Sequence, residues 1–152
     1  MTEKLKAILW SIALPGFAQL LKGKYLKGVI LIFLEFLVNV NSHLNLIIIY
    51  NFQGNIGKAI EAANYQWLMF NPCLYMFAMW DAYKNAKGET PPYLFLPFVF
   101  GAYFVTIGLI YSPSFKIGQM LIGPVWLPIL FLVPGLLVGH LIKHLLQRLK
   151  IY

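Results

Sequence analysis

Acidic residues are scarce: five Asp and Glu stand against twelve Lys and Arg, and none follows Glu89. The one close histidine pair, His140 and His144 at i and i+4, therefore has no carboxylate nearby to complete a metal set. No metal or cofactor is expected. A single cysteine, Cys73, excludes an intrachain disulfide. It lies inside an apolar run, where a buried, inert thiol is the expectation. There is no G-x-S-x-G elbow, no phosphate-binding glycine loop and no dinucleotide fingerprint. Internal repeats and low-complexity tracts are absent too. Charged residues make up only 11%, less than half of the roughly 25% usual in soluble domains. An ordinary water-facing surface is excluded by that shortage.

Apolar residues fill the gap. They amount to 60% of the 152 residues, with 12 Phe, 9 Tyr and 4 Trp. Several apolar stretches run to about 20 residues, the length that crosses a hydrocarbon core of about 30 Å. No period-2 alternation marks an outer-membrane barrel. The class read from this is an all-α integral membrane helical bundle, one membrane domain over 1–152. The net charge of +7 comes from lysines set between apolar runs. The expected partners are therefore anionic lipid headgroups on the cytoplasmic side, and not nucleic acid. Residues 1–21 partly imitate a signal peptide. The chain beyond them stays apolar and no small-residue cleavage pattern appears, so they are read as mature protein.

The first apolar segment, 5–21, is short and interrupted by Pro15-Gly16, which removes a backbone donor and loosens the helix. The second, 25–50, is about 39 Å long at helical rise, with a polar second half. Residues 51–64 form a connector in which Ile56, Ala59, Ile60 and Ala63 keep helical spacing opposite Lys58 and Glu61, so a short interfacial helix is predicted. The third segment is 65–85, with Asn71-Pro72 inside it. A breaker-rich connector leads to the fourth, 93–111. The fifth, 117–149, carries Pro124, Pro128 and Pro134 and ends in basic, amphipathic turns.

Lysine and arginine counts orient these segments. If all five span, Lys22, Lys24, Lys27, Lys84, Lys87, Lys143, Arg148 and Lys150 share one side, facing Lys4, Lys6, Lys58 and Lys116. If segment one turns back at Pro15-Gly16, Lys4 and Lys6 join the majority and only Lys58 and Lys116 stay opposite. That sharper asymmetry favours four spanning helices plus a re-entrant or interfacial N-terminal hairpin, both termini cytoplasmic. Five spanning helices is the alternative.

Polar groups at membrane depth mark candidate chemistry, because burying them is costly. Glu35, Asn39, Ser42 and His43 fall on one broad face of segment two. Segment three runs antiparallel to it, so Lys27 and Asp81 are candidates for an ion pair at the cytoplasmic edge. Counting upward from that pair brings Glu35 level with Asn71. Two readings of the cluster stay open. One is interhelical glue, with a neutral Glu35 bonded to Asn39 or Asn71. The other is a proton or cation site, or a polar ligand pocket. Gly135-x-x-x-Gly139 is a small-residue packing motif, serving either intramolecular packing or dimerisation.

The stretch PGFAQLLKGKYLKGVILIF, with the later MFAMWDAYKNA, resembles small prokaryotic membrane proteins related to the two-transmembrane-helix domain family. The matching positions are Pro15, Gly16, Gln19, Gly23, Lys27, Gly28, Trp80 and Asp81, within residues 7–85. Ala18 stands where a second glycine is usual and Leu21 where an aromatic is usual. The resemblance implies a family-like core over 1–85, followed by two further helices over 93–149. It implies no enzymatic activity.

The function expected is that of a non-catalytic interaction or accessory subunit in a bacterial-type inner membrane, with a membrane-protein partner or a second copy of itself. The rival is a small transporter or channel component using Glu35, Asn39 and Asn71. A third class is a membrane-embedded enzyme on lipid substrates with His43 and Glu35.

Overall fold

A computed structural model describes residues 2–149; Lys150, one of the basic residues that orient the chain, lies outside them. Helix α1, Glu3–Ala13, starts at Thr2, whose hydroxyl accepts from the Leu5 N–H at 3.3 Å. Pro15 is fully buried and Gly16 takes a left-handed φ of 98°. The chain thereby reverses into α2, Phe17–Leu21, and a second turn at Gly23 launches α3, Tyr25–Ser42. Both ends of the α1–α2 unit meet one end of α7, Phe70–Lys84. Lys4 Nζ donates to the Tyr83 carbonyl at 3.3 Å and Lys22 Nζ to the Ala82 carbonyl at 3.1 Å. One unbroken helix would hold those lysines about 27 Å apart. Segment one is therefore a hairpin.

Segment two is not one helix. His43 adopts φ 60° and ψ 33°, a left-handed conformation that ends α3, and α4, Leu44–Phe52, departs from it. The break is held from outside: the Asn64 N–H donates to the Ser42 carbonyl at 3.2 Å. His43 Nδ1 lies 2.8 Å from the Ala62 carbonyl, an acceptor, so Nδ1 carries the proton. The short helix predicted in the connector is α5, Ile56–Ala62, with Ala59 buried and Lys58 and Glu61 exposed. Segment three divides at Met69 into α6, Tyr65–Leu68, and α7. Pro72, Met76 and Met79 form the buried side of α7, leaving Cys73 on the outer face. The expectation of a buried thiol is thus corrected: position 73 is about 100° around the helix from the Pro72–Met76 stripe.

Helix α8, Phe95–Tyr111, is joined to α9, Gly123–Arg148, by a small antiparallel ladder. Strands β1, Lys116–Ile117, and β2, Met120–Leu121, pair around a two-residue turn with Gly118 at φ 63°. The start of the predicted fifth segment is therefore a hairpin. Neither Pro128 nor Pro134 interrupts α9, which continues for 26 residues. Asn51 of α4 serves as its remote cap, Oδ1 accepting the Val125 N–H at 2.9 Å.

Glycines set the α8–α9 distance. A Cβ at Gly139 would lie 2.6 Å from the Pro97 Cα, one at Gly135 2.7 Å from the Phe100 carbonyl oxygen, and one at Gly108 2.8 Å from the Pro128 Cα. The two helices thus touch backbone to backbone, and the Gly135–Gly139 motif is used within the chain. Among the described residues α3 and α9 are long and apolar enough to cross a membrane, with α8 one residue shorter than α3.

Candidate functional site

At the end of α7 that receives the hairpin, three side chains close around one carboxylate. Asp81 is 4% exposed. Its Oδ1 accepts from Lys27 Nζ of α3 at 2.6 Å and from Asn85 Nδ2, just past α7, at 3.1 Å. Its Oδ2 accepts from Gln19 Nε2 of α2 at 3.0 Å. The Gln19 amide also reaches the Ala78 carbonyl at 3.1 Å, and Asn85 the Asp81 carbonyl at 2.7 Å. Lys22, in the turn between α2 and α3, completes this edge on the Ala82 carbonyl. Burial pushes its amine below the ordinary lysine range. On the outer rim Lys6 pairs with Glu3 at 2.8 Å and holds that exposed carboxyl below its usual value.

The local sequence explains how these groups arrive. Gly16 and Gly28 cross with no room for a Cβ: one added at Gly28 would be 2.9 Å from the Gly16 carbonyl oxygen. That contact presses α2 onto α3. Gln19, three residues beyond Gly16, and Lys27, one before Gly28, are then carried to Asp81 together. Both carboxylate oxygens are occupied, so the arrangement is a clasp between three helices and offers no free base. Trp80 lies beside it, under the Lys84 ammonium at 5.0 Å from the ring centre.

The second predicted group does not assemble. Glu35 is buried, and its Oε1 accepts from the Tyr75 hydroxyl at 3.3 Å rather than from Asn71. Geometry accounts for the difference. Glu35 lies eight residues, about 12 Å, from Lys27, whereas Asn71 lies ten residues, about 15 Å, from Asp81. The long Tyr75 side chain, six residues from Asp81, covers the remaining distance. Asn39 bonds Asn45 at 3.3 Å, and Ser42 the Asn39 carbonyl at 3.3 Å. Asn41 bonds the Leu37 carbonyl at 2.7 Å. His43, exposed, serves the helix break. Most of the polar stripe is thus spent within its own helix or at its end. Among the described residues, Glu35 Oε2 and Asn71 Nδ2 are buried without a hydrogen-bond partner.

Asn71 instead lines a mainly apolar cavity of about 770 Å³ between α1, α4 and α7 on one side and α8 and α9 on the other. At its far end are Tyr83, His140 and Lys143. The His140 and His144 rings lie 5.6 Å apart, and among the described residues no three His, Cys, Asp or Glu side chains gather.

Asn85, Tyr75 and Asn51 are not singled out by the sequence, and Lys143 is read there only as an orienting charge. Asn85 alone leaves a legible signal, one helical turn after Asp81. The chain matches no family model, no curated protein and no solved structure.

Proposed function

We propose that this is a multipass inner-membrane protein of a bacterial-type cell, acting without catalysis as an interaction or accessory subunit. Four units cross the bilayer: α3 with α4, α6 with α7, α8, and α9. The α1–α2 hairpin enters from the cytoplasmic side and returns, leaving both termini there. The observation that carries this reading is how the polar groups are used. Asp81 is saturated, and Ser42 and Asn41 bond their own helix. The surfaces of α3 and α9 meanwhile turn large apolar side chains outward, among them Phe33, Phe36, Val133 and Leu137. Such faces suit lipid or another membrane helix, either a partner's or a second copy's. The resemblance to the two-transmembrane-helix domain family agrees, because six of its eight matched residues (Gly16, Gln19, Gly28, Lys27, Trp80 and Asp81) lie at the clasp or its supporting crossing.

Cysteine labelling in intact cells, with Cys73 replaced, tests the topology. Lys6→Cys is expected to stay protected from an impermeant outside reagent and Lys58→Cys to react. Ready labelling of Lys6→Cys would sink the hairpin arrangement. Recovery from native membranes tests the role: a partner or a second copy should accompany the protein, and a lone monomer would count against an accessory subunit.

One observation favours a second reading, a small transporter or channel component: the buried, unpartnered Glu35 Oε2. Glu35→Gln separates the two. We expect an unchanged fold, partner recovery and cellular phenotype, whereas loss of phenotype with the fold and partner intact would move the proposal to a proton or cation site.

A further inference from the structure

We propose that the cavity between α7 and α9 is a site for one anionic phospholipid. Its phosphate would lie on Lys143 and His140, with an acyl chain running down α9 between the two helix groups. The inference rests on the membrane placement proposed above.

Lys143 is 9% exposed and lines this cavity. Among the described residues no carboxylate pairs with it. Its stem is covered while its ammonium stays open to the cavity that it lines, as a lysine head at a membrane edge keeps to a polar surrounding. No Asp or Glu side chain follows Glu89, so an anion entering the cavity would meet an unneutralised cation there, at the end of the bundle where the clasp and the basic loops lie. His140 is one turn away on the same wall, and Tyr83 faces them across the cavity. Lys4 adds a further cation behind Tyr83, 4.5 Å from its ring centre.

The rest of the wall asks for a chain. Below Lys143 come Leu136 and Leu132 on α9, opposed by Met79 of α7 and Phe98 of α8. From Lys143 to Leu132 is about 16 Å at helical rise, close to one leaflet's half of a hydrocarbon core of about 30 Å. The cavity's volume also falls in the roughly 300–1,000 Å³ range of sites that enclose small molecules. A free phosphate would leave the apolar length unused, and a zwitterionic lipid would bring its own cation against Lys143.

The test uses the full chain purified in an uncharged detergent and followed by native mass spectrometry. Phosphatidylglycerol, phosphatidylcholine and oleate are each titrated in. Wild type should retain one phosphatidylglycerol with about tenfold preference over phosphatidylcholine, the scale of one charge-assisted contact. Lys143→Gln should remove that preference, while Lys87→Gln, an exposed cation at the same end, should keep it. Should Lys143→Gln fold poorly, Leu132→Trp gives an independent check: it fills the chain slot without touching charge and should also lower retention. Equal binding of the two phospholipids, undiminished phosphatidylglycerol retention in Lys143→Gln, or oleate displacing the lipid at equal concentration would each overturn the proposal. Carbonate washing of native membranes scores the underlying placement separately. A chain that stays in the pellet yet shows no lipid preference defeats only the lipid site.

Discussion

Replacing Gly139 by Leu should detach α9 from α8 and cost the protein at least as much as removing any one of its buried polar contacts. A Cβ at this position would stand 2.6 Å from the Pro97 Cα, 2.7 Å from the Leu96 oxygen and 2.9 Å from the Leu96 carbon. All three are backbone atoms, so no rotamer change makes room. The helices must separate, and Gly135 and Gly108, which hold the same close approach, lose their contacts with them. Overpacking of a core costs about 1–3 kcal/mol and sometimes more; a clash with backbone along a whole helix pair belongs at the upper end. The midpoint of heat-induced loss of the monodisperse species in detergent should fall by roughly 10 °C. Gly139→Ala should show a smaller loss. Its sign matters, because alanine in a helix is otherwise favoured over glycine by about 1 kcal/mol. Gly57 supplies the control: nothing lies within 4 Å of a Cβ built there, so Gly57→Ala should be neutral or slightly stabilising. A wild-type midpoint for Gly139→Leu would mean that the two helices do not pack at this distance.

Asp81→Ala should be the next most damaging change, and its effect should be felt first by the N-terminal hairpin. The substitution leaves the Gln19 amide and the Lys27 ammonium without their shared acceptor. Breaking a buried pair costs about 3–5 kcal/mol. The lower figure applies to this pair, because the Lys27 side chain is 44% exposed and can turn toward water or headgroups. Lys27→Met leaves the opposite defect, a buried carboxylate held only by Gln19 and Asn85. The double change Lys27→Met with Asp81→Leu removes both charges together. It should regain much of the loss, since apolar replacement of both partners is often nearly neutral. Mixed-micelle unfolding of wild type, Lys27→Met, Asp81→Leu and the double change closes the cycle, and a coupling below about 0.5 kcal/mol would show that the pair does not hold the hairpin. Cysteine labelling on α2 gives a second readout, with faster modification expected in Asp81→Ala before global unfolding.

The clasp is legible in the sequence for a specific reason. Lys27 and Asp81 each sit at the basic end of an apolar run, and an antiparallel connection puts two such ends together. Gly16 and Gly28 are visible as small residues, but not as a pair, because their crossing depends on the angle at which α2 meets α3. The partner of Glu35 lies one turn away from the residue that counting selects. Residue counting along two helices assumes a common starting plane and equal side-chain reach, and Tyr75 is longer than Asn71. The break at His43 carries no proline or glycine to announce it. It is sustained by the Asn64 N–H and the Ala62 carbonyl, groups about 20 residues away in the chain.

By itself the sequence determined the all-α class, the interruption at Pro15-Gly16, the short helix in the 51–64 connector and the pairing of the two basic helix ends. Those follow from hydropathy, helical period and charge, which are local quantities. Only the tertiary structure decided that Gly135 and Gly139 serve α8, that Cys73 faces outward, that Asn51 caps a helix more than seventy residues away, and that Lys143 lines a cavity with no acid paired to it. Each of these depends on the distance and angle between helices, and those are set by the sum of many side-chain contacts rather than by any one stretch of chain.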